Sequence, residues 1–354
     1  DTLTLNDLYG TSFYFNGNAA GGQETVTVND THTTGQTNIE LENNGASNNE
    51  SVTLNNAHSG SLRIRTYAGN DTVVINDTNT VGNTLIITNN ESDTITVNGA
   101  GTEMNGTTTL TLDDQGNLND TFNIGGPVGA GNLDNIKISV TVSGDSNFDR
   151  LNINDELSGK DRTFDTTAST ISVDGSQIVS YDTTFEDIVF NTGGGDDTVS
   201  IFGGTVPSSV TLNDTGDNLT LAGTPNIGGN LTVNSELTLD APTVTTTGNQ
   251  TYNANVTLAQ TASVTGSNVT FVGTVDSTDG SQGLEATAAT GTATFFGDIG
   301  VGMELSSFDV TSSAVLGGVT PGAGFLVDAG QDDGLNNRWE DVSGGTTGFD
   351  FELD

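Results

Sequence analysis

Residues 71–75 read Asp-Thr-Val-Val-Ile, and residues 93–97 read Asp-Thr-Ile-Thr-Val. In each stretch an acidic residue and a threonine come before apolar residues at alternate positions. This alternation is typical of a strand with one buried face, and threonine itself favours strands. The same element recurs at Glu24–Val28, Glu50–Leu54 and Asp120–Ile124, and in looser form at Asp149–Ile153, Asp197–Ile201 and Asp217–Leu221.

The spacing of these copies indicates how the strands are arranged. The first five acids lie 26, 21, 22 and 27 residues apart, and a second short apolar strand, such as Leu62–Ile64 or Leu110–Leu112, lies between most copies. Two or three short strands per repeat of this length, joined by Asn, Gly and Asp turns, form the coil of a parallel β-helix. We therefore predict an all-β chain with a parallel β-helix, or β-solenoid, fold. A β-sandwich array stays open as the alternative, since sandwiches also contain many short strands.

The repeat changes along the chain. After about residue 218 the element becomes Asn-apolar-Thr-apolar, as in Asn230–Val233 and Asn255–Leu258, and acidic residues become rarer. We predict acidic solenoid repeats over 1–217 and Asn/Thr-rich repeats over 218–320. The repeat is lost over 321–354, which we interpret as a strand-exchange or linker segment.

Composition excludes several classes of function. The chain has 46 Asp+Glu against 7 Lys+Arg, so its formal net charge is −39. Such a charge repels nucleic acid and anionic lipid, and no apolar run approaches the ~18–20 residues of a membrane span. There is no Cys for a disulfide or a thiolate site, and only two His. The basic cleft that acidic-polysaccharide enzymes with this fold need cannot be lined by so few cations, so we predict that the chain is not an enzyme.

The stretch Thr192–Ile201, Thr-Gly-Gly-Gly-Asp-Asp-Thr-Val-Ser-Ile, resembles the Gly-rich unit of the calcium-binding RTX β-roll. RTX units repeat in tandem, whereas this match occurs once, with a partial copy at Ala68–Asp71. Glycine turns expose carbonyls and Asp supplies hard oxygens, which suits Ca²⁺. Like charges stacked on adjacent coils also favour bound cations. The candidate Ca²⁺ ligands are Asp71, Asp196, Asp197, Asp113 and Asp114. The alternative is that Gly-Asp-Asp is a turn followed by a strand.

Two segments carry further resemblances. Thr245–Ser277, with its short Val-Thr-Leu strands, is similar to the β-helix repeats of large bacterial surface adhesins of the filamentous-haemagglutinin kind. Val327–Asp332 and Arg338–Asp341 resemble the linker that precedes a laminin-G-like domain in large secreted bacterial proteins. The resemblance implies a secreted or cell-surface protein, one piece of a longer chain, that acts in adhesion, surface layers or fibres without catalytic residues.

Together these patterns predict an extracellular structural β-solenoid that serves as an adhesin stalk, surface-layer subunit or fibre subunit. Thr2–Leu5 and Phe349–Leu353 alternate like strands and could pair with a second copy, giving a filament stabilised by cations. The alternative function is a glycan-binding module of a secreted adhesin, with cell-surface glycans as partners. That role would require a row of exposed aromatic side chains.

Overall fold

The computed structural model describes residues 2–19, 22–43, 48–89, 91–99, 110–114, 118–145, 147–216, 218–316 and 327–329. They form two compact units, Asp1–Asp197 with Val206–Asp217 and Thr198–Thr205 with Asn218–Asp354. Within each unit, strands of successive coils pair in parallel, as β-solenoid coils do. The predicted fold is therefore confirmed, and the sandwich alternative is wrong, since antiparallel pairs are confined to one short insertion among the described residues.

The strands that begin before residue 190 are β1 (Thr2–Asn6), β2 (Tyr9–Gly10), β3 (Phe13–Ala19), β4 (Thr25–Thr33), β5 (Gln36–Asn43), β6 (Ser51–Ser59), β7 (Ser61–Thr66), β8 (Thr72–Ile75), β9 (Thr78–Thr80), β10 (Thr84–Thr88), β11 (Thr94–Val97), β12 (Leu110–Asp114), β13 (Thr121–Ile124), β14 (Val140–Ser143), β15 (Arg150–Asn154), β16 (Thr163–Thr166), β17 (Thr170–Val173), β18 (Ser176–Tyr181) and β19 (Asp187–Thr192). A 3₁₀ turn spans Leu133–Asn135.

The later strands are β20 (Asp196–Ile201), β21 (Ser209–Asp214), β22 (Asn218–Gly223), β23 (Asn226–Ile227), β24 (Leu231–Val233), β25 (Leu237–Asp240), β26 (Thr243–Thr246), β27 (Gln250–Tyr252), β28 (Val256–Leu258), β29 (Ala262–Gly266), β30 (Val269–Phe271), β31 (Val275–Ser277), β32 (Gly283–Phe295), β33 (Ser307–Leu316) and β34 (Val327–Ala329). β34 pairs in parallel with β33, and the rest of the predicted 321–354 segment lies outside the described residues.

The first sheet of the first unit is a stack of in-register strands. β1, β4, β6, β8, β11, β13, β15, β19 and β21 follow one another in parallel. Val52 therefore lies between Val26 and Val73 in a file of apolar side chains. The predicted core residues are all buried, namely Val26, Val28, Val52, Leu54, Val73, Ile75, Ile95, Val97, Phe122, Ile124, Val199 and Ile201.

Two of the predicted core residues lie on a different sheet from the others. Val199 and Ile201 are buried, as predicted, but they lie on β20, which neighbours β22 and not the strands of the first sheet. The strands of the last two copies, β20 and β22, therefore do not occupy the position of the earlier copies. The reason is that alternation specifies which side chains face inward but not which sheet a strand joins.

Polar side chains also join adjacent coils of the first unit. Asn29, Asn55, Asn76 and Asn98 each donate a side-chain hydrogen bond to the asparagine one coil earlier, at 2.8, 2.7, 2.5 and 2.5 Å. In the second unit the ring of Tyr252 stacks on Phe271, which stacks on Phe295, with centroid distances of 4.5 and 5.1 Å. Repeated positions thus add side-chain contacts to the backbone ladder.

The insertion that interrupts the parallel coils is a three-stranded antiparallel meander of β16, β17 and β18. Arg162, buried before β16, binds three carboxylates, Asp134, Asp155 and Asp174, at 2.5, 3.0 and 2.7 Å. Asp155 is fully buried, and burial raises its pKa although Arg162 opposes the shift. One of the few cations in the chain is therefore used inside the fold.

Candidate functional site: a column of buried carboxyl groups

The acid that begins each early copy of the repeat lies inside the solenoid. Each comes directly before a strand of the first sheet, and those strands are in register. The acids therefore stack one per coil along a corner of the interior. They form what we name the carboxyl column, Glu24, Glu50, Asp71, Asp93, Asp120 and Asp149, and none is more than 5% exposed.

Neighbouring members are joined by hydrogen bonds. The backbone N–H of Glu50 donates to Oδ1 of Asp71 at 2.8 Å, and the N–H of Asp71 donates to Oδ1 of Asp93 at 2.7 Å. The same bond joins Asp93 to Asp120 at 2.5 Å and Asp120 to Asp149 at 3.0 Å. The four aspartates of the column thus each accept a buried N–H from the preceding coil, a donor that would be costly to leave unpaired.

At the start of the column, one oxygen of each carboxyl group is unsatisfied. Oε2 of Glu24, Oε2 of Glu50 and Oδ2 of Asp71 are buried and accept no hydrogen bond. The backbone of Gly17 packs against Glu24 so closely that a Cβ there would lie 2.2 Å from Oε2. Only glycine fits at that position without displacing the carboxyl group.

These carboxyl groups have displaced pKa values. Burial, the neighbouring Asp71 and the charge of Glu24 together raise the pKa of Glu50 to about 9. Burial also raises the pKa of Asp71, against the interaction with Glu50. At neutral pH Glu50 therefore keeps its proton.

The five predicted calcium ligands do not come together. Asp71 belongs to the carboxyl column, Asp113 is half-buried on β12, and the side chain of Asp114 lies outside the described residues. Asp196 is exposed, and its backbone N–H donates to Asp161 at 3.0 Å. Among the side chains that the structure describes, no group of three or more His, Asp or Glu is arranged to hold a metal ion.

Asp197 closes its own glycine turn. Its two carboxylate oxygens accept the backbone N–H groups of Arg162 at 2.8 Å and of Gly193 at 3.0 Å. Burial raises the pKa of Asp197 to about 6. Both oxygens thus have backbone partners, which agrees with the turn interpretation of Gly-Asp-Asp.

Comparisons with known proteins add no relative. The chain matches no family model, no curated protein and no solved structure. In the described part of the chain, no helix is long and apolar enough to cross a membrane.

Proposed function

We propose that the chain is an extracellular structural β-solenoid, a stalk or fibre segment of a secreted adhesin-like surface protein, and that it is not an enzyme. The proposal rests on one observation, which is that the repeated polar residues join successive coils. The acids of the carboxyl column, which precede the strands, and the stacked asparagines five residues further along bond one coil to the next. A structural spacer needs such contacts at every coil, whereas a catalytic site needs them at one place.

Self-association through a strand edge is part of the proposal. On β1 the inward residues Leu3 and Leu5 are half-exposed, although their partners on β4, Val26 and Val28, are buried. A further coil placed on β1 would cover this apolar surface and pair its free backbone groups. Either a second copy or more of the same polypeptide could supply that coil.

The test is sedimentation velocity over a range of concentrations. We expect the wild-type chain to associate, and Leu3→Asp with Leu5→Asp to abolish association because charge cannot be buried against a second coil. Thr2→Asp with Thr4→Asp is the matched control, since these exposed residues add the same charge to the same strand. A wild-type chain that stays monomeric at all concentrations, or equal loss in both variants, would contradict association through β1.

Cation stabilisation is the second part. Outside the carboxyl column, Asp113 is half-buried and Asp196 is exposed, so both remain in contact with water and can attract Ca²⁺. A glycan array supplies the discriminating measurement for the alternative function. Specific sugar binding that is lost on replacing the exposed Tyr9 or Tyr14 would favour a glycan-binding module over a structural stalk.

A further inference from the structure

The only two histidines of the chain are brought together by the fold. His32 on β4 and His58 on β6 are direct register partners on adjacent parallel strands. Their rings stack with centroids 4.5 Å apart and an interplanar angle of 15°, and both are half-exposed. Tyr9 covers the other face of His32, with a centroid distance of 5.0 Å. Two imidazoles placed side by side within reach of solvent can act as a chelating pair.

We propose that His32 and His58 together bind one divalent transition-metal ion of the zinc type, with solvent completing its coordination. Neutral imidazole nitrogen is a preferred ligand of Zn²⁺, Cu²⁺ and Ni²⁺, whereas Ca²⁺ prefers oxygen. The chain has no Cys, so no thiolate competes for such an ion. This site is separate from the carboxyl column and does not depend on the proposed structural function.

Chelation requires the stacked rings to rotate. The ring planes are only 15° apart, and the nitrogen lone pairs lie in those planes, so in the stack they point nearly parallel. Two nitrogens bound tetrahedrally to one Zn²⁺ at ~2.0–2.1 Å lie about 3.4 Å apart with their lone pairs converging on the ion. Both rings must therefore turn out of the stack, and the broad χ2 minimum of histidine together with the half-exposed position of both residues permits this rotation.

The surroundings favour a cation. The net charge of −39 raises the local concentration of any divalent cation around the chain. The same charge makes non-specific binding the main competing explanation.

Zinc titration followed by proton NMR tests the proposal. With only two histidines, the imidazole C–H signals belong to this pair alone, and His58→Asn assigns them. The titration is done with Ca²⁺ in large excess, which occupies non-specific carboxylate sites. We expect both sets of signals to shift together and saturate at one Zn²⁺ per chain.

The variants separate a pair from two single ligands. His32→Asn and His58→Asn should each weaken zinc affinity about tenfold or more. Removing a residue that only orients a metal ligand already lowers affinity by this much, and removing the ligand itself should lower it at least as far. Asparagine is chosen because Asn79 occupies the next register position after His58. Asn79→His puts a third histidine at the next register position and should tighten binding.

The contrary results are equally clear. The proposal is overturned if the chain binds two zinc ions independently, if the signals of one histidine shift alone, or if the single variants bind zinc like the wild type. Zinc binding that excess Ca²⁺ removes would also overturn it. Circular dichroism and the unmetallated melting temperature of each variant show whether it is folded, and Asn79→His gives a gain of binding that misfolding cannot mimic.

Discussion

Replacing Glu50 with glutamine removes a carboxyl group that stays protonated at neutral pH in the folded chain. Burial and the neighbouring Asp71 raise the pKa of Glu50 from 4.5 to about 9. Between these two values the folded chain keeps the proton and the unfolded chain releases it. The contribution of Glu50 to stability is therefore fully present below about pH 4.5 and is lost as pH rises toward 9. Glutamine is neutral at every pH and keeps a donor for Asp71.

The size of the effect follows from the number of protons. One proton held only by the folded state costs about 1.4 kcal/mol of unfolding free energy per pH unit. From pH 5.5 to 8.5 the wild-type chain should thus lose about 4 kcal/mol through Glu50. Relative to the wild type, Glu50→Gln should therefore gain about 4 kcal/mol of unfolding free energy between pH 5.5 and pH 8.5.

The assay is urea unfolding at intervals from pH 5.5 to 8.5, with the slope of unfolding free energy against pH as the readout. Glu40→Gln is the matched control, because hydrogen bonds from Asn38 and Tyr14 and the charge of Arg63 lower the pKa of Glu40. Its contribution is lost only as pH falls below about 4.5, so it should leave this slope unchanged. A wild-type slope that is flat or positive, or a Glu50→Gln slope equal to the wild type, would refute the reasoning.

Three further predictions concern the core, the buried ion network and cations. Val97→Asp places an unpaired charge in the apolar file and should cost several kcal/mol in urea unfolding, whereas Thr94→Asp, half-exposed on the same strand, should cost under about 1 kcal/mol. Arg162→Met leaves Asp155 buried without its charge partner and should cost about 3–5 kcal/mol, against about 1 kcal/mol or less for Arg63→Met at a partly exposed pair. In low salt, Ca²⁺ should raise the melting temperature and a chelator should lower it, and equal melting temperatures in the two conditions would show that bound calcium does not stabilise the fold.

Much of the first unit could be predicted because its repeat encodes both period and register. The acid of each copy has the same parity as the apolar residues after it, as in Glu24, Val26 and Val28. Period two therefore places the acids on the same inward side as the apolar residues. Likewise, His32 and His58 are 26 residues apart, the same separation as Glu24 and Glu50, so their pairing follows from the repeat.

Other features could not be predicted from pattern alone. The three-stranded meander of β16, β17 and β18 interrupts the repeat, and the contacts of Arg162 depend on where that insertion folds back. The copy at Asp197 satisfies the same alternation as the early copies, yet its strand joins the other sheet. Alternation is a property of a single strand. Which strands lie next to that strand depends on the lengths of the connections around it.

Because the carboxyl column faces inward, the net charge is weaker evidence for bound cations than the sequence suggests. The formal net charge of −39 counts every acid as ionised. Glu50 holds a proton at neutral pH, and Asp71 accepts a backbone N–H, so the stacked acids are not a row of bare like charges. We therefore expect any stabilisation by Ca²⁺ to come from acids outside the column. On this reasoning Glu50→Gln keeps the full calcium-dependent rise in melting temperature. Loss of that rise in the variant would show instead that a cation and a proton compete for the column.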